Sequence, residues 1–346
     1  VESTDTVLEE NWSSATKSRV VSIKNGVSED GTYFFLDDTT GLYYRLSSDK
    51  TASVLNDLTA TEAWSGEVEL SSAITYGDEQ YTLTEIAVQA FYSNSDKVTK
   101  IVLPNTLQKI GNYAFANMIL TEIALPDSVT EIGYSLFDQT TTLEQVTFSK
   151  NISVVPSSTF SDNAKLTAFD FSGIEEIGEG AFKNCGLTQA DLSNVKSIAK
   201  NAFAGCSALN AVTFSQELES IGSYAFYETA LTEIHVPASV AEIGDYAFAV
   251  NDSVEKVTLA TGIAGKGAFQ QNTALTTVEF VGGKEYSVGV QVFYQCSKLT
   301  AVSFGAGLTN IGTYAFMESA VTKLSLPYSL KSIGDYAFYK CCLLYT

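Results

Sequence analysis

A six-residue phrase ending in phenylalanine returns along most of this chain and narrows sharply what it can fold into. It reads IGNYAF at 110–115, IGSYAF at 221–226, IGDYAF at 243–248, IGTYAF at 311–316 and IGDYAF at 333–338. Its last residue recurs at Phe91, Phe115, Phe137, Phe160, Phe182, Phe203, Phe226, Phe248, Phe269, Phe293, Phe316 and Phe338, 21 to 24 residues apart. A second phrase lies between copies, as in VTKIVLP (98–104), LTEIALP (120–126), LTAFDFS (166–172), LTEIHVP (231–237) and VTKLSLP (321–327). Apolar residues fill its first, fourth and sixth places, and the alternation at its end is the period-two mark of a strand. The Pro, Ser or Gly at the seventh place stops that strand.

A unit of about 22 residues cannot bury its own leucines and phenylalanine, so successive units must stack and share one core. The predicted fold is mainly β: a right-handed solenoid of about twelve coils with a parallel β-sheet face. At a strand spacing of about 4.8 Å, twelve coils extend on the order of 55 Å. The phrase glycines Gly111, Gly133, Gly222, Gly244 and Gly312 are expected where the backbone needs positive φ or close approach. A third ladder stands three residues after each phenylalanine: Asn94, Met118, Thr140, Asn163, Cys185, Cys206, Thr229, Asn251, Asn272, Cys296, Ser319 and Cys341. Short polar side chains stacked there are expected to satisfy the backbone groups of a buried turn. Four of the five cysteines fall in this ladder. They read as buried free thiols, although Cys185 and Cys206, in adjacent coils, are near enough for a disulfide.

The repeat unit LTEIxLPxSVxEIGxYAFxxC, which covers about residues 81–346, resembles the BspA-type leucine-rich repeat of bacterial surface and secreted proteins. The resemblance implies a leucine-rich-repeat solenoid behind an N-terminal β cap, and a role in adhesion to host proteins or other cells. The phrases VVPSSTF (154–160) and GIAGKGAF (262–269) depart from the motif, so irregular coils are expected there. The domain reading is a polar lead-in at 1–18, a β-hairpin cap at 19–80 and the repeats at 81–346, the last one incomplete. Asn25-Gly26, Asp30-Gly31 and Thr40-Gly41 mark the cap's hairpin turns, and Trp12 and Trp64 read as cap core. Cys341 to Tyr345 align with Cys296 to Thr300, where a further strand begins. An uncovered strand edge there invites pairing. The expectation is either more coils in a longer protein or a dimer through this end.

Charge limits the partners. Forty acidic residues against 20 basic ones give a net charge of −20, which disfavours nucleic acid and anionic membranes because both require neutralisation by Lys or Arg. No apolar run approaches the roughly 18 residues of a membrane span. The chain begins at Val1, so a targeting segment is expected to have been removed. With one histidine, His235, Ser-His-Asp, Cys-His and His-based zinc machinery have little to work with. Gly265-Lys266 lacks the spacing and the hydroxyl of a phosphate loop.

The reading is therefore a non-enzymatic extracellular or cell-surface module, without cofactor or metal, that binds a protein or glycan. A spacer displaying other domains is the alternative. The expected contact surface is the outward strand row, with Asp170, Asp191, Thr213, Glu233, His235 and Glu279 as candidates. Asp170 and Asp191 are expected side by side on adjacent strands, where a cation or a partner's basic side chain would relieve their repulsion. Tyrosines two places before the phenylalanine (Tyr113, Tyr224, Tyr246, Tyr314, Tyr336) read as packing between coils rather than as a recognition surface.

Overall fold

A computed structural model describes residues 32–37, 42–55, 66–92, 98–263 and 265–341, together with three two-residue strands at Asn11–Trp12, Arg19–Val20 and Gly26–Val27. The Trp12 side chain, Trp64, Asn94 and residues 342–346 lie outside the described residues. The fold divides into two compact units, residues 1–152 and 153–346.

In the first unit, Tyr33–Asp37, Leu42–Leu46 and Thr51–Leu55 form an antiparallel meander. Thr51–Leu55 then pairs in parallel with Glu79–Ile86, and the chain changes from hairpins to coils. Leu46 and Val54 are fully buried, while Arg45 reaches Glu85 at 2.6 Å and Ser53 donates to the same carboxylate at 2.7 Å. Beyond this point two parallel ladders run through the unit. One carries Gly66–Glu69, Val98–Val102, Glu122–Ala124 and Gln145–Thr147, the second-phrase strands of the sheet face. The other carries Glu79–Ile86, Lys109–Ile110 and Glu131–Ile132, a second short strand per coil just ahead of the glycine. The repeat phrases predict the first ladder only.

The second unit repeats the plan. Its sheet face comprises Gln189–Leu192 with Ala211–Phe214, and then Glu233–Val236, Lys256–Leu259, Thr277–Phe280 and Ala301–Ser303. Its second ladder runs from Val154–Val155 through Glu176–Ile177, Ser197–Ile198 and Ser220–Ile221 to Glu242–Ile243, and resumes with Tyr286–Val288, Leu308–Ile311 and Ser332–Ile333. The interruption coincides with GIAGKGAF, where a single bridge, Ile263 to Val288, spans the irregular coil.

Two second-phrase segments do not form the expected strands. Residues 166–172 place both Phe169 and Phe171 against Phe182, at 5.1 and 5.3 Å between ring centroids. Phe169 stands where the coils on either side hold the smaller Val146 and Ala190, so this coil carries an extra bulky ring against the core. Residues 321–327 also leave the ladder; there Leu326 is 42% exposed, and the burial that holds the other strands in place is missing.

The core is the phenylalanine row. Phe115, Phe137, Phe160, Phe182, Phe203, Phe226, Phe248, Phe269, Phe293 and Phe316 are all 0% exposed, Phe91 is buried and Phe338 half-buried. Rings in neighbouring coils stack nearly parallel, at 5.5 and 5.7 Å in the first unit and 5.0 to 5.6 Å in the second. This is offset stacking, which the ring quadrupole favours over a direct sandwich.

Several members of the ladder three residues on satisfy backbone groups as their composition predicts. Asn251 Nδ2 donates to the carbonyls of Phe226 and Phe248 at 3.0 and 2.9 Å, and its Oδ1 accepts from the Thr229 amide at 2.6 Å. The thiols of Cys206 and Cys296 donate to Phe182 and Phe269 carbonyls at 2.9 and 3.2 Å. Cys185, Cys206 and Cys296 are free, buried thiols. Burial pushes the Cys185 and Cys296 thiols up to about 12, which keeps them protonated at neutral pH.

The glycines serve one of their two expected roles. Gly222 and Gly244 have ordinary φ, but a Cβ there would lie 2.5 Å from the Lys200 nitrogen and 2.4 Å from the Ser223 nitrogen of the preceding coil. Positive φ falls two residues later instead, on Tyr113, Tyr224, Tyr246, Tyr314 and Tyr336 (55° to 59°), and again two residues after the phenylalanine, as at Asn184, Glu228 and Glu318. These left-handed residues turn alternate amides along the stack. Tyr224, Phe226 and Glu228 donate to Asp245, Ala247 and Ala249 of the next coil.

Candidate functional site

With leucines, valines and phenylalanines turned inward, each sheet strand leaves its alternate residues facing out. In the second unit the register aligns them in rows: His235 with Thr258, Glu279 and Ser303, and Glu233 with Lys256, Thr277 and Ala301. Inward neighbours Ile234, Val257 and Val278 are 0% exposed, so the outward rows stand on a rigid floor. Glu233 and His235 are exposed, with His235 Nε2 3.2 Å from Glu233 Oε2. Glu279 is half-buried and bound by Lys256 at 3.0 Å. Asp191 and Thr213 are register partners on the adjoining pair of strands, both exposed.

Asp170 is the exception among the candidates. It lies in the 166–172 segment, which forms no strand, so the expected ladder neighbour of Asp191 is not on a ladder. Each aspartate instead turns back on its own chain. Asp170 Oδ1 accepts the Ser172 amide at 3.0 Å, and that bond holds its carboxyl below the usual range. Asp191 Oδ1 accepts the Ser193 amide at 3.2 Å and the Ser193 hydroxyl. These turns satisfy the charges locally. Among the described residues no three His, Cys, Asp or Glu side chains come together as a metal site.

The first unit presents a smaller counterpart, a shallow depression of about 370 Å³ over Val102, Ala124, Gln145 and Thr147. Lys100 lies beside it, clamped by Glu122 at 2.9 Å and Glu67 at 3.7 Å; the Glu122 bond raises its pKa. The surface feature that repeat reasoning missed is in the second unit. A groove of about 640 Å³ runs across the turns that follow the sheet strands, lined by Ser172, Ser193, Asn194, Lys196, Gln216 and Glu217. The signal was available in the serine at the seventh place of LTAFDFS, LTQADLS and LNAVTFS, read before only as a strand stop.

The profile of the BspA type leucine rich repeat region matches residues 84–194, 175–287 and 265–346, with six copies. The chain belongs to the BspA-type leucine-rich repeat family. No curated protein matches it in sequence. Among solved structures, this BspA-type protein is similar to a leucine-rich repeat protein from Bacteroides ovatus, with 20% identity over 89% of this chain and 92% of that one and a TM-score of 0.60. It is also similar to a leucine rich cell surface protein from Faecalibacterium prausnitzii, with 21% identity over 89% and 86% and a TM-score of 0.50. At these identities the likeness is one of fold. It agrees with the all-β coil stack seen in each unit of the BspA-type chain.

Proposed function

We propose that this protein is a non-enzymatic binding module of the cell surface or extracellular space, which holds a protein or glycan partner on the outward strand rows of its second unit. Asp191, Thr213, Glu233, His235 and Glu279 make the contacts, with Asp170 at the margin. The observation that carries this reading is the register, which sets short polar and charged side chains side by side over a fully buried floor. A preformed surface loses little entropy on binding. The net charge of −20 favours partners with basic or neutral faces. The surface location draws support from the fold it shares with a protein described as a leucine rich cell surface protein.

The test is a panel of immobilised extracellular proteins and glycans probed with the wild-type chain and with a variant carrying Thr213→Ala, Glu233→Ala, His235→Ala and Glu279→Ala together. Saturable binding that the variant weakens by roughly tenfold or more, at unchanged thermal midpoint, supports the reading. Full retention of binding by the folded variant overturns the assignment of the face.

A further inference from the structure

We infer that the groove after the sheet strands of the second unit is a binding site for a neutral oligosaccharide. This rests on the reading of the chain as a binding module but not on the outward strand rows. Three consecutive coils bring Ser172-Gly173, Ser193-Asn194 and Ser215-Gln216 to the same turn, and the pairing of Leu192 with Phe214 sets the second and third side by side. The turn therefore repeats a serine in all three coils and a side-chain amide in the second and third, at the coil spacing of about 4.8 Å. That interval is close to the length of a pyranose ring in an extended chain. A volume of about 640 Å³ is that of a small-ligand site and accommodates a short oligosaccharide.

The groove is held in shape before any ligand arrives. Asp170 and Asp191 fix the first two serine turns, as described, and Asn194 Nδ2 donates to the Ser172 carbonyl at 2.8 Å, tying one coil to the next. Ser215 Oγ accepts the Glu217 amide at 3.0 Å. Lys196 is anchored to Glu175 at 2.9 Å. Its charge is answered within the groove, where Glu217 also stands. What remains for a ligand is the Asn194 Oδ1 acceptor, the Gln216 amide, the Ser172 hydroxyl and the Glu217 carboxylate. Adjacent donors and acceptors of this kind recognise paired ring hydroxyls, each of which both gives and takes a hydrogen bond. The buried edge of Phe214 forms the apolar part of the lining. With Glu175 paired to Lys196, Glu217 leaves the groove net negative and repels sialylated or sulfated sugars, so the neutral class is selected.

The test uses the whole chain on an array of neutral, sialylated and sulfated glycans, followed by calorimetric titration of the best neutral hit. Two variants are compared: Asn194→Ala with Gln216→Ala, and His235→Ala with Glu279→Ala. The result expected is retention of neutral glycans only, with affinity lowered roughly tenfold or more by the groove variant and unchanged by the strand-row variant. Glu217→Gln keeps the groove's shape and is expected to reduce the discrimination against sialylated sugars. No neutral glycan retained, a preference for anionic ones, or equal affinity for wild type and a folded groove variant each overturns the inference. Loss only in the strand-row variant returns glycan binding to the face proposed above and also overturns it.

Discussion

The phenylalanine row and the tyrosine row of the second unit run along the same return segments two residues apart, with the same period, and end in opposite environments. Phe203, Phe226 and Phe248 are 0% exposed and stack at 5.1 Å on each side of Phe226. Tyr224 stacks on Tyr246 at the same 5.1 Å, yet both are only half-buried, and Tyr336 is 58% exposed. The backbone makes the difference. A left-handed residue at the tyrosine place reverses the chain just before the phenylalanine enters the core, leaving its own side chain at the edge. A regular aromatic repeat therefore shows that rings stack between coils and does not show whether they face the core.

That contrast can be broken at either row. The largest effect is expected from Phe203→Ala, about 3–5 kcal/mol of destabilisation by denaturant titration, because the cavity sits between two fixed rings. Asn251→Ala removes two donors to buried carbonyls and the acceptor of the Thr229 amide. A loss of about 2–3 kcal/mol is expected in the same titration. Tyr224→Ala is expected to cost about 1 kcal/mol, and Tyr224→Gly no more than that, since glycine adopts φ 58° without strain. A Tyr224→Ala loss equal to that of Phe203→Ala would erase the distinction between the rows.

Much of this was legible because repetition multiplies a weak signal. The two phrases disclosed a coil, its strand and its buried aromatic, and the Asn, Thr and Cys ladder disclosed its backbone partners, as Asn251 and Cys206 bear out. The left-handed tyrosine was not legible, since glycine or asparagine is the usual mark of that conformation and here Gly222 serves close approach instead. Asp170 was misplaced because LTAFDFS matches the strand phrase in pattern, while the extra volume of Phe169, at a place that holds Val146 and Ala190 in the coils on either side, does not enter a pattern. The groove at Ser172, Ser193 and Ser215 was hidden for a simpler reason: a residue that ends a strand can also line a site.

Residue-resolved hydrogen exchange under native conditions tests the central claim most directly. The Phe182, Phe203 and Phe226 amides donate to Ala202, Ala225 and Ala247 of the next coil at 2.8, 2.8 and 2.7 Å, inside the aromatic stack. They are predicted to exchange only through large-scale opening, among the slowest amides of the second unit. Exchange of these three at the rate of an exposed turn amide such as that of Ala208 would contradict a core built on that row.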